Sequence, residues 1–374
     1  MNIRFLLLSL LAISAATAQK NPYLLVGTYT SGKSEGIYVY QFDTKTADNN
    51  LISVAKTSNP SYLAIAPNNK TVYAVNENAD TTGSIVGGTV TAFSFTAGDG
   101  KLTALDKQLS GGTSPCYVDV DKTGKWVFAG NYSSGTLAVF PVKPNGSIYA
   151  ASQVIAHAGT GANLERQEGP HVHATVVSPD NKFLFVPNLG VDKVFIYQLN
   201  KATGKLTPTV EKTANSEPGS GPRHFTFAPN GQHAYLIEEL TGTVVVYKYN
   251  NGRLTKQQRI NALPKNFSGA FGSADIHVSP DGKFLYCSNR GDANTITIFN
   301  INQQNGKVAV VGYQSTLGKT PRNFNFDPTG NYLLVANQQS DNIVIFKIDK
   351  KTGLLTDTGK QILVPNPVCI KWIY

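Results

Sequence analysis

Residues 169–199 read GPHVHATVVSPDNKFLFVPNLGVDKVFIYQL. The stretch holds a short apolar strand, a turn of Ser, Pro, Asp and Asn, a second alternating strand, a polar turn and a third strand. Alternation with period two marks half-buried strands, and the Pro, Asp, Asn and Gly between the runs supply turns. The same order recurs along the chain. Copies begin at Pro60 (PSYLAIAPNNKTVYAVNEN), Ser114 (SPCYVDVDKTGKWVFAGNYSSGTLAVF), Gly221 (GPRHFTFAPNGQHAYLIEELTGTVVVYKY), Gly272 (GSADIHVSPDGKFLYCSNRGDANTITIF) and Thr320 (TPRNFNFDPTGNYLLVANQQSDNIVIFKI). Weaker segments between copies, such as LTALDKQLS and LTKQQRI, read as a fourth, outer strand.

A repeat of about fifty residues is the spacing of propeller blades. A further unit is split across the termini. Tyr23 to Phe42 matches the second and third strands of a unit, and the C-terminal NPVCIKWIY matches the missing first strand, resembling NPSYLAI. The chain is therefore expected to be all-β: a seven-bladed β-propeller of four-stranded blades. A C-terminal strand joins the N-terminal blade and closes the ring, which removes free sheet edges. Residues 19–374 form this single domain, and a monomer is the expected state.

Composition agrees with that class. Hydrophobic residues make up 41% and charged residues 15%, and 17 Tyr and 18 Phe stand against one Met, which favours strands. The formal charge of +9 is spread without a run of like charge. That speaks against nucleic acid as a partner and for a small anionic ligand. Three cysteines are too few for a disulfide framework and are expected as buried thiols. Residues 1–18 read as a signal peptide: Arg4, an apolar run from Phe5 to Ile13, and Ala16-Thr17-Ala18 before the cleavage point. Cleavage after Ala18 leaves no stable membrane span and a periplasmic or secreted protein.

Because the copies align, each blade is a control for the others. The position that starts each innermost strand, where side chains face the central channel, holds Ser61, Cys116, His173, Arg223, Ala274 and Arg322. Three blades thus put His173, Arg223 and Arg322 into one shell, with His171 two residues further out. The position ending each second strand holds Asn76, Asn131, Asn188, Glu238, Asn289 and Asn337. Five asparagines there indicate a structural cap, and Glu238 is the exception. The next position varies freely, and Glu239 and Arg290 are its candidates for ligand contact. The polar loop GTGANLERQEGP places Arg166, Gln167 and Glu168 over the channel near His173.

At these residues the chain resembles the seven-bladed lactonase family, which includes propeller-type 6-phosphogluconolactonases and, more distantly, fungal carboxymuconate-lactonizing enzymes. The resemblance runs through VGTYTSG, NPSYLAI, NYSSGTLAVF, RQEGPHVH, NLGVDKV, GPRHFTF, SNRG, KTPRNFNFDPTGNYLLVANQQSDNI and NPVCI. It implies functional roles for His171 or His173, Arg223, Glu239 and Arg290. Asn188 and Glu238 depart from the family's usual Asp and Asn, and Asn323 stands where His is common.

The chemistry expected is hydrolysis of a sugar-acid lactone without a cofactor or metal. Ester opening needs a base for water and a cation for the oxyanion. His173 (or His171) is the expected base. Arg223 and Arg290 bind the anionic group and developing charge, with Glu239 orienting an arginine or the histidine. Arg322, Glu238, Arg166 and Gln167 complete the substrate contacts. Two alternatives stand beside it: a carboxymuconate cycloisomerase, and a non-catalytic propeller that binds an anionic small molecule or a protein. A metal held by the H-x-H pair and Glu168 is disfavoured by the arginines around it and by the lack of further ligands.

Overall fold

Strand registers in a computed structural model, which describes residues 21–78 and 87–374, follow from the local pattern of each repeat. Second strands are the most apolar, and all six residues of Phe183–Asn188, His233–Glu238 and Tyr332–Asn337 are buried. Outer strands such as Lys101–Leu109 alternate with solvent. The expected leader and its cleavage point lie outside the described residues.

Seven four-stranded antiparallel sheets form the blades. Blade 1 is closed as expected: Pro367–Ile373 pairs antiparallel with Tyr23–Thr28, which continues to Gly36–Phe42 and Asn49–Lys56. Innermost strands of blades 2 to 7 are Leu63–Ile65, Pro115–Val120, Val176–Val177, Pro222–Phe227, Phe271–Val278 and Pro321–Phe326. Apolar faces of neighbouring blades pack against each other. Cys369 and Ile373 of the closing strand share a core with Leu63, Val72 and Val118 of blades 2 and 3. All three cysteines are buried and free.

One irregularity recurs and decides what reaches the channel. Pairing in blade 5 runs Pro222↔Glu238 and then His224↔Ile237, so Arg223 is an unpaired bulge residue. Cys116 and Arg322 occupy the same bulge in blades 3 and 7. A bulge inserts one residue and re-aims its side chain. In blade 4 the regular strand is only Val176–Val177, with an isolated bridge at Val172↔Asn188, so the H-x-H segment enters the channel as a loosely paired arm.

Candidate active site

The channel opens at one face into a cavity of about 220 Å³. Two tiers line it. Bulge positions contribute Cys116, His173 and Arg322, and residues just after, or ending, the second strands contribute Tyr29, Glu77, Tyr132, Glu239 and Arg290. Arg166 reaches in from the loop before the H-x-H arm. Glycines set two of these turns. Gly221, at φ +66°, precedes the Pro222-Arg223 bulge, and Gly291, at φ +72°, follows Arg290 where a side chain would strike the Ala270 carbonyl.

Glu239 is the electrostatic centre. Its Oε2 accepts from Arg223 Nε at 2.8 Å and lies 3.0 Å from Arg290 Nη2, while Oε1 accepts from Arg166 Nη2 at 2.7 Å. Burial alone would raise this carboxyl, but Arg290, Arg223 and Arg166 outweigh it and hold it down at about 2. Glu239 is thus a fixed anion that clamps three guanidiniums. It is not a base. Arg223 also donates to the Ala274 carbonyl at 2.5 Å, and Arg290 Nε to the Gly272 carbonyl at 2.9 Å. Burial, opposed by Glu239, lowers Arg290 to about 10, still protonated at neutral pH.

Arg322 differs from the other three. It lies over the Tyr29 ring, 5.4 Å from the centroid, and among the described residues makes no ion pair or hydrogen bond. Tyr29 Oη donates to Glu77 Oε2 at 2.9 Å. Four arginines therefore meet two glutamates, and the site carries two positive charges in excess. An open guanidinium in a positively charged, partly enclosed cavity has the charge and the forked donors that a carboxylate or phosphate pairs with.

His173 is 4% exposed and sits among Cys116, whose Sγ is 3.8 Å from its Nδ1, the edge of Tyr132, and the ring of His224. Burial first, then Arg223, His224 and Arg322, push its protonation well below the usual histidine range. At neutral pH it is an uncharged imidazole with a lone pair to offer. His171 has a different setting. It stacks on Tyr132 at 4.3 Å, with Nδ1 3.0 Å from the Tyr132 carbonyl oxygen and Nε2 3.2 Å from Glu168 Oε1. Among the described residues, no group of three or more His, Cys, Asp or Glu side chains is placed to hold a metal ion.

Two expected substrate contacts fall elsewhere. Gln167 is fully buried beneath the loop, where its Nε2 donates to the Leu189 carbonyl and to Asp192 Oδ1, both at 2.7 Å; it anchors the loop that carries Arg166. Glu238 turns into its own blade and pairs with Arg259 at 2.7 Å. The reason lies in its slot. Four of the five asparagines there donate to carbonyls of the preceding connection, as Asn131 does to Ser110 and Asn337 to Thr316. A carboxylate cannot donate, so Glu238 recruits a cation from the outer strand instead.

Several further site residues stand in slots that the repeats themselves define. Glu77 and Tyr132 share the variable slot of Glu239 and Arg290, and Tyr29 is its counterpart in the split blade. Just below the cavity, His224 and Asp275 occupy the position after the bulge, which a strict period of two assigns to the opposite face.

Over residues 23–372 the chain matches the family model described as lactonase, seven-bladed β-propeller. It is 40% identical to the 6-phosphogluconolactonase of Bacillus subtilis, covering 93% of this chain and 97% of that one. A solved structure from Bacteroides fragilis superposes with a TM-score of 0.90 at 41% identity, covering 96% and 99% of the two chains. The periplasmic gluconolactonase of Pseudomonas aeruginosa gives 0.89 at 37% identity, covering 94% and 99%. With the family model matched over residues 23–372 and relatives at about 40% identity over nearly the whole of both chains, the chain belongs to the seven-bladed β-propeller lactonase family.

Proposed function

We propose that the protein hydrolyses a sugar-acid lactone bearing an anionic group, outside the cytoplasm. The observation that carries this reading is the cavity's excess of positive charge, with Arg322 left open beside an uncharged, buried His173. In the reaction, the anionic group docks on Arg322. Water, held against His173, attacks the lactone carbonyl and gives its proton to the imidazole. Developing oxyanion charge falls on Arg290, which Glu239 holds in place at no reorganisation cost, with the buried Arg223 fixing Glu239 from behind the cavity wall. The ring C–O bond then breaks, and the leaving alkoxide takes the proton back from His173. A hydroxy acid leaves as its carboxylate.

Arg223 and Arg322 both lower the proton affinity of His173, so a bound anion that offsets them makes it a better base when substrate is present. Since the base acts unprotonated and its range is depressed, turnover should persist well below pH 6.5. Relatives support two substrates, a phosphorylated gluconolactone and a plain gluconolactone, and the expected leader with the periplasmic relative supports export. The test is to incubate the protein lacking residues 1–18 with 6-phosphogluconolactone, gluconolactone and a muconolactone, and to follow acid release. Turnover that is lost in folded His173→Ala and Arg223→Ala proteins supports the mechanism. No rate above the spontaneous one on any lactone sinks the function, and full activity in both variants sinks the residue roles.

A further inference from the structure

Directly beneath the cavity lies a buried carboxylate that the reaction above does not use. Asp275 is 1% exposed, and its oxygens accept from His224 Nδ1 at 2.7 Å, His277 Nε2 at 2.9 Å, the Asn323 side chain and the backbone N–H of Ile276 at 3.0 Å. Burying a carboxylate is costly unless donors surround it, and even then a neutral replacement is often no less stable. In the same slot other blades carry Tyr62, Tyr117, Ala174, Asn323 and Cys369, none of them acidic. The propeller does not require a charge there.

What this carboxylate faces is specific. An ionised carboxylate only accepts, so both imidazole nitrogens pointing at it carry protons. His224 is thereby fixed as the Nδ1–H tautomer, and its Nε2 is left as an acceptor. The His224 ring meets His173 edge-on, with centroids 5.3 Å apart and planes at 70°, and is held from the other side by Tyr62 and Tyr117. His224 and Arg223 are consecutive residues of one bulge, so the backbone feature that aims Arg223 at Glu239 aims His224 at Asp275. We propose that Asp275 and His224 are positioning residues for His173: the carboxylate fixes the pose and tautomer of the His224 ring that packs against His173, and Asp275 alone supplies the negative charge that lets His173 take a proton in a cavity dominated by arginines. This inference rests on the lactonase reading of the site.

The charges around the pair give the sign. His173 faces Arg223, Arg322, Cys116 and His224; Asp275 faces His224 and His277, with Tyr62, Tyr117 and the Lys371 that lies over Tyr62 across the channel. Arginines discourage protonation of His173, and Asp275 is the anion of the layer below that opposes them. Removing its charge makes His173 harder to protonate and a weaker base.

The experiment measures kcat and kcat/KM against pH for the wild-type protein and Asp275→Asn, with thermal melts to confirm folding. The expected result is a fall in kcat of about tenfold or more, KM within about twofold, and an acid limb displaced to lower pH. A merely structural role would not move the limb. If Asp275→Asn does not fold, His224→Gln, which keeps a polar side chain but cannot hold the tautomer, is measured in the same way and is expected to show the same loss. A folded variant with wild-type kcat and an unmoved limb overturns the inference while the lactonase reading stands. A wild-type protein that opens no lactone overturns both.

Discussion

Replacing Glu239 with glutamine should cost this protein stability as well as activity, and the size of the loss follows from the clamp. The carboxylate is 5% exposed and bound by three guanidiniums at 2.7, 2.8 and 3.0 Å. Its folded-state value of about 2 against an ordinary 4.5 corresponds to about 3 kcal/mol of stabilisation at neutral pH. Breaking a buried pair by removing one partner costs about 3–5 kcal/mol by a separate route, because the arginines are left facing one another. For roughly 350 residues at about 2.1 cal/mol/K each, such a loss lowers Tm by about 4–7 °C. The sign with pH is fixed. A depressed carboxylate contributes fully above its unfolded value near 4.5 and loses that contribution as pH falls toward 2. Calorimetry of wild type and Glu239→Gln at neutral pH and near pH 3 therefore should show a gap that narrows with acid. A Tm difference below about 1 °C at neutral pH, or a gap independent of pH, would refute the clamp as the stabilising element.

Arg322→Met should weaken binding of 6-phosphogluconate by about 10- to 150-fold, the worth of one charge-assisted contact, and calorimetric titration showing under threefold would remove Arg322 as the anion anchor. Glu238→Gln should leave lactone turnover within about twofold, since its carboxylate serves Arg259 inside the blade; a tenfold loss would return it to the site. Ending the chain after Val364 removes the closing strand, in which Val368, Cys369, Ile370 and Ile373 are buried. At about 1.5–3 kcal/mol for each large apolar side chain, this approaches the whole stability of a typical domain. The truncated protein should therefore be insoluble or unfolded by circular dichroism, and a soluble, folded product would contradict closure by that strand.

The sequence by itself determined the ring. Period-two alternation and turn residues act within a few positions of each other, so every blade is specified locally. The likeness of NPVCIKWIY to NPSYLAI was enough to place the closing strand against Tyr23–Thr28. Comparison of blades also brought Arg322, His173, Glu239 and Arg290 to one mouth, because a repeat puts equal positions at equal depth. The tertiary structure alone decided which charges meet. Arg166 and Glu239 are 73 residues apart, and only the radial setting of two blades and the anchoring of a loop by Gln167 let them pair. Glu238 and Glu239 are neighbours in sequence and in charge, yet one serves Arg259 within its blade and the other clamps the channel, because successive residues at a strand end face opposite ways. The bulge adds one residue to the inner strand of blade 5, which turns both Arg223 and His224 toward the channel and breaks the alternation from which the sequence was read. That single inserted residue is why the arginines were legible and the His224–Asp275 pair beneath them was not.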